Sequence, residues 1–260
     1  MEGDVNAVDV AVSVLLVAVA IGLSVWRRLG LEGSLVWSSA RALVQLLLVG
    51  AALAVVIDPD RPLVLAWAWV VLMVVFAAET VRRRAPEVPG ARSLALASYA
   101  SAAVVSIGVL FGLGVFPLEG RTLVPLVGMM VGNSMNATVL VARRILEDFA
   151  DRRGEVEARL ALGQPSSEAA RPVMRRALRT ALIPQIETTK AVGIVFLPGA
   201  MTGLILAGVD PVDAVLVQIV VMYLVLGSTA TTTVTVALGL RRRLFTPDHR
   251  LVPIARAADA

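Results

Sequence analysis

Inside its long apolar runs this sequence carries a small set of side chains able to ligate an ion or hold a charge: Arg41 and Gln45, then Met129, Asn133 and Asn136, then Glu187, Lys190 and Met201. Arg41 and Gln45 stand four apart, and Met129, Asn133 and Asn136 follow the i, i+4, i+7 rule, so each set shares one helix face. An unpaired amide in hydrocarbon costs several kcal/mol, so the asparagine face must meet protein or water. Amide oxygens beside a thioether offer ligands to a passing metal; interhelical hydrogen bonding is the other reading of the same face. Glu187 is the sole acidic residue well within a run, which makes it the metal-ligating candidate, and Lys190 three residues on is placed to neutralise it. Arg41 lies about 9 Å into its run, so it either lines a path or snorkels to the headgroups.

Other chemistries find little support. Cysteine is absent, which excludes disulfides, thiolate metal sites and a cysteine nucleophile. Ser134 lies in a polar Gly132-Asn133-Ser134-Met135 stretch, but the only histidine, His249, is in the tail, so no base accompanies that hydroxyl. No Gly-x-x-x-x-Gly-Lys-Ser/Thr loop occurs. The chain therefore reads as a transport subunit rather than an enzyme, binding no cofactor itself, with any ATP and Mg on a partner.

The elements that must position these residues follow from composition. Of 260 residues 57% are hydrophobic, and the mean hydropathy of +0.80 exceeds what a soluble domain needs. A bilayer core of ~30 Å takes about 20 apolar residues per helix, and seven such runs are present, near 8–26, 35–57, 63–78, 94–115, 123–146, 183–207 and 212–240. The expected fold is an all-α polytopic bundle forming one permease domain over 1–260, multi-pass in the inner (plasma) membrane. The net charge of +4 reflects topology, not nucleic-acid binding. Twenty-one of the 24 basic residues fall in alternate segments that include 147–182 and the tail 241–260, against Arg61 and Arg121 in the others. That bias puts the N-terminus outside and the C-terminus inside.

Small residues four apart (Gly108 and Gly112, Gly128 and Gly132, Gly199 and Gly203) allow close helix packing within the chain or against a second copy. Pro198 cannot donate to the carbonyl of Ile194, and Gly199 follows it, so the sixth run should kink near mid-membrane. The segment 147–182 reads as an amphipathic helix broken at Gly163-Gln164-Pro165, with Ser166 or Ser167 capping the second piece. Within it, Glu157-Ala158 followed by Leu162-Gly163 resembles the Glu-Ala-Ala loop of ABC importer permeases, which docks on an ATPase, although Arg159 replaces the second alanine.

The chain resembles the FetB-like permeases of iron-export ABC transporters, to which the plant aluminium-tolerance permeases also belong. The matching stretches are Arg41-Ala42-Leu43-Val44-Gln45-Leu46, Gly128-Met129 with Gly132-Asn133-Ser134-Met135, Leu160-Ala161-Leu162-Gly163, Ala181-Leu182-Ile183-Pro184, and above all Lys190 to Gly203 continuing through Gly208-Val209-Asp210-Pro211. The resemblance implies a homodimer of permeases with two P-loop ATPase subunits, exporting a metal such as iron. On this reading Glu157, Ala158, Leu162 and Gly163 couple to the ATPase, while Arg41, Gln45, Asn133, Asn136, Glu187 and Met201 line the substrate path. Ser134 and Glu187 depart from the family's usual small or shorter residues, which leaves the cargo open. The competing class is a channel or secondary transporter for a metal or small cation, without an ATPase.

Overall fold

The computed structural model describes residues 7–194 and 196–253. Glu2, Asp4, Val195 of the Lys190–Gly203 stretch, and Arg256 lie outside the described residues. Helices account for about four-fifths of it, and among the described residues extended pairing is limited to two isolated bridges, Val192 with Phe196 and Phe245 with Leu251. The chain divides into two units, residues 1–61 and 62–260.

The first unit is a hairpin of α1 (Ala7–Arg27) and α2 (Glu32–Val56). The turn between them uses left-handed backbone at Arg28 and Gly30 and is fixed by Ser24, whose hydroxyl donates to Glu32 Oε1 at 2.7 Å and accepts from the Leu31 amide at 3.3 Å. Ser24 is buried, so these bonds satisfy the one polar group the hairpin hides. No residue of α2 is buried within the unit, as expected for apolar helices whose solvent is lipid.

The second unit contains α3 (Val64–Arg84), α4 (Ala91–Leu110), α5 (Gly120–Asp151), α6 (Arg153–Ala161), α7 (Ser166–Ala169), α8 (Arg171–Ala191), α9 (Gly199–Leu206) and α10 (Pro211–Leu244). Helix α10 is its axis and packs on α4, α5, α8 and α9. Its start is set by Asp210, which accepts from the Val212 amide at 2.8 Å, with Pro211 in the first turn. Helix α5 begins with a capping box between Glu119 and Thr122. With 32 and 34 residues, α5 and α10 run about 48 and 51 Å at 1.5 Å per residue. Both exceed the ~30 Å hydrocarbon core, so their ends stand in the interface or beyond it.

The apolar core is concentrated at those basic ends. Val141, Ile145 and Phe149 of α5, Val173, Ala177 and Ala181 of α8, and Val236, Leu240 and Leu244 of α10 form one buried cluster with Val156 and Leu251. Phe149 and Phe245 meet edge to face with centroids 5.7 Å apart. Around this cluster several arginines are tied into the fold. Glu79 pairs with Arg82 and Arg83, Arg143 with Glu87 at 2.8 Å, and Arg144 with the buried Asp148 at 3.1 Å. Arg243 donates to the Pro89 carbonyl and the Ser93 hydroxyl, both at 2.8 Å.

Six helices among the described residues are long and apolar enough to cross a membrane. The run near 183–207 is not continuous: α8 enters it and stops at Ala191, and α9 resumes only at Gly199. Gly193 takes φ +86°, its amide bonds the Phe196 carbonyl at 3.0 Å, and Pro198 supplies the N-cap of α9. A left-handed glycine and a proline without an N–H thus turn the anticipated kink into a break. The cap expected from Ser166 or Ser167 is also absent. Pro165 precedes α7 and no side chain caps it, because the Ser166 hydroxyl is engaged with His249 instead. Of the small-residue pairs, Gly128 faces Met73 closely, while Gly108, Gly132, Gly199 and Gly203 have open space where a Cβ would stand.

Candidate functional site

A cavity of about 310 Å³ lies within the second unit. Helix α5 contributes Met129 and Asn133, α8 contributes Gln185, Thr188 and Thr189, and α10 contributes Gln218 and Met222, while Phe196, Pro198 and Gly199 of the helix break close it. The polar groups are partly pre-committed. Asn133 Nδ2 donates to the Met129 carbonyl at 2.8 Å, Thr188 to Pro184 at 2.9 Å, and Thr189 to Gln185 at 2.8 Å. Each of these bonds uses the side chain's donor, so the oxygen lone pairs of Asn133, Thr188 and Thr189 remain available as acceptors. Gln218 is 7% exposed, and its buried Oε1 has no hydrogen-bond partner. A buried amide oxygen without a partner is costly and calls for an explanation such as a ligand it awaits. Among the described residues no lining residue is Asp, Glu, His, Lys or Arg. The cavity therefore offers neutral oxygen and thioether acceptors to a cation or a donor-bearing solute, and contains no proton-transfer group.

The expected path residues fall in different places. Asn133 lines the cavity beside Met129; Asn136, Glu187 and Met201 do not. Asn136 Oδ1 accepts from Arg84 at 3.0 Å. Glu187 is exposed and paired with Lys190 at 2.8 Å, on a separate groove between α8 and α10. Arg41 and Gln45 belong to the first unit, where they share an exposed face of α2. Gln185, Thr188, Thr189, Gln218 and Met222 were not singled out from sequence. Gln218, an amide inside the apolar run 212–240, was the available signal.

The proposed coupling residues form a second feature at the basic end. Glu157 pairs with Arg153 at 2.7 Å on α6. Gly163, at φ +83°, turns the chain out of the helix, and Leu162 just before it is 83% exposed. Arg159 hydrogen-bonds Glu155 and holds its carboxyl below the ordinary range, with Arg152 adding to the effect. The tail returns to this turn: residues 245–251 form a loop closed by Thr246 N–H to the Arg250 carbonyl at 2.9 Å, and His249 Nδ1 lies 3.0 Å from Ser166 Oγ. Glu157, Gly163 and Pro165 with Asp248, His249 and Arg250 line a recess of about 630 Å³. The part played by the tail was not legible in the sequence.

These features, spans of membrane length around a polar cavity, define a multi-pass membrane protein of the permease kind. The chain belongs to the family described as Uncharacterised protein family (UPF0014), whose sequence profile matches residues 7–245. It is 37% identical to the UPF0014 membrane protein STAR2 of Oryza sativa subsp. japonica, over 94% of this chain and 85% of that protein. It is 32% identical to Protein ALUMINUM SENSITIVE 3 of Arabidopsis thaliana, over 93% and 88% of the two chains. With the probable iron export permease protein FetB of Escherichia coli it shares 31% identity over 94% of each. No solved structure matches the chain.

Proposed function

We propose that this chain is the membrane subunit of an ABC transporter, acting as two copies with two separate ATPase subunits that bind ATP and Mg. In this reading the N-terminus is outside, the C-terminus is inside, and the cargo is a metal ion, iron first. The observation that carries the proposal is the course of α8. It is one helix of 21 residues with Pro184 in its interior, about 32 Å long, that follows the exposed Leu162–Pro165 turn after the short α7 and ends at the polar cavity, where the span is broken. A continuous element joining a partner-facing turn to a discontinuous helix at a binding cavity can transmit a partner's closure to a transport path.

The name of the Escherichia coli relative, a probable iron export permease, supports the cargo. Neutral oxygens and thioethers can replace part of an ion's hydration shell without a fixed charge that would retain it. Asn133 and Gln218 supply the amide oxygens in this account. Glu187, once released by Lys190, supplies a carboxylate elsewhere on the path, with Asn136 and Met201 as its further lining. Glu157, Ala158, Leu162 and Gly163 contact the ATPase.

Co-expression with its ATPase in iron-loaded cells tests the reading. Cell iron falls with the native chain and stays high with Asn133→Leu or Gln218→Leu. Cell iron unchanged by the native pair would overturn the assignment of metal export.

A further inference from the structure

The groove between α8 and α10 is separate from the polar cavity, and Glu187 is the residue it shares with the path proposed above. It encloses about 850 Å³, with arginines at one end, an apolar wall beyond them and the Glu187–Lys190 pair past that wall. Arg171, Arg175 and Arg179 recur every four residues, so they form one row on α8, and Arg241 of α10 faces the same groove. Among the described residues none of these four has an ion pair or a side-chain hydrogen bond. That sets them apart from their neighbours at the same end of the bundle, since Arg144, Arg152, Arg153 and Arg159 each pair with a carboxylate. Among the described residues the one acid on the groove is Glu187, already neutralised by Lys190. Like charges four apart on a helix repel, so the row is arranged for an anion that the described fold does not supply.

The rest of the wall says what kind of anion. Leu182, Ile183 and Ile186 of α8 and Val234 and Leu238 of α10 continue the groove away from the arginines, and Ile183 and Leu238 are about half exposed. Arg241 lies about 45 Å along α10 from Pro211 at 1.5 Å per residue. That distance matches the ~40–45 Å of hydrocarbon plus headgroup layers, so the arginines sit at headgroup level and the apolar wall at acyl-chain level. A free phosphate would leave the apolar wall uncovered, and a zwitterionic lipid would leave the arginine charge uncompensated.

We propose that this groove is a binding site for one anionic phospholipid, its phosphate held by Arg175, Arg179 and Arg241 and its acyl chain laid along Ile183, Ile186 and Leu238. Arg171 extends the basic end toward the headgroup's outer oxygens. Anchoring a lipid here braces the long helix that runs to the cavity.

The test uses the full chain in mild detergent, with phosphatidylglycerol and phosphatidylcholine of identical acyl chains added as probes and bound lipid counted by native mass spectrometry. The native chain retains phosphatidylglycerol about tenfold more strongly than phosphatidylcholine, and Arg175→Gln/Arg179→Gln/Arg241→Gln together abolish that preference. Arg152→Gln/Arg159→Gln, which removes two paired charges from the same end, leaves it intact, as does the native chain in excess inorganic phosphate. Because the chain has no cysteine, a fluorophore on Leu238→Cys reports occupancy of the apolar wall, and phosphatidylglycerol brominated on its acyl chain quenches it. Arg241→Gln alone, the mildest change, weakens retention in the same direction should the triple variant fold poorly. Equal retention by the triple variant, an equal loss in the Arg152/Arg159 control, displacement by inorganic phosphate, or a Leu238 label left unquenched would each overturn the proposal.

Discussion

Leu162 offers the most direct lever on the coupling assignment. It stands at the tip of the α6 turn with 83% of its surface exposed, beside Gly163, whose positive φ directs the chain away from the helix. Its neighbour Leu160 packs instead against the chain's own buried cluster. Burial is worth about 0.8 kcal/mol per methylene, and Leu→Ala removes three carbons, so a partner that covers this side chain loses roughly 2 kcal/mol once the part already hidden is discounted. At 1.4 kcal/mol per factor of ten, that is about a 30-fold weaker Kd for the ATPase. The assay is fluorescence anisotropy of labelled ATPase titrated with the permease in nanodiscs, alongside thermal unfolding of the permease alone. Leu162→Ala weakens binding while the melting midpoint hardly moves, because the side chain supports little of its own fold. Leu160→Ala does the reverse, lowering the midpoint. A Kd for Leu162→Ala within twofold of the native value would refute the docking role.

Gln218→Leu removes a buried amide oxygen that has no partner, so melting rises by the equivalent of about 1–3 kcal/mol while transport is lost; a fall in stability on this change would show that the amide is satisfied within the fold. Gly90→Ala places a Cβ into the Arg243 guanidinium at a backbone φ of +65°, and the left-handed strain alone costs about 1–2 kcal/mol, read as a lowered melting midpoint. Glu155, whose carboxyl Arg159 holds low, favours the folded turn above the ordinary carboxylate range, and that contribution disappears as pH falls through its depressed value. Circular dichroism of the native chain and Glu155→Gln between pH 6 and pH 2, pH values chosen to bracket the carboxylate range, therefore converges at the acid end, and high salt narrows the difference at pH 6.

Much of the scaffold was legible in the sequence because lipid imposes a length rule, and runs of about 20 apolar residues announce spans without any tertiary knowledge. The break at 192–198 was only half legible. Pro198 marked the place, but Gly193 could be seen to adopt left-handed backbone only once the chain was folded. Side-chain direction was the larger gap. Successive residues on a helix turn by about 100°, which sets Glu187 nearly opposite Gln185, so the same helix sends one to the groove and the other to the cavity. Asn133 was found because Met129 and Asn136 flagged its face. Gln218 was passed over because one amide in an apolar run carries no period, and the contact between the tail and the α6 turn joins residues 83 apart, beyond any local pattern.

The central claim is that this permease works with an ATP-hydrolysing partner on a metal. Purifying the chain from its native membrane in mild detergent and assaying the eluate for ATP hydrolysis with and without Fe²⁺ tests it most directly. The account predicts a co-eluting P-loop subunit whose turnover rises with the metal and is lost from eluates of Leu162→Asp. A chain that elutes stable and alone, with no associated hydrolysis, would contradict it and return the protein to the channels or secondary transporters.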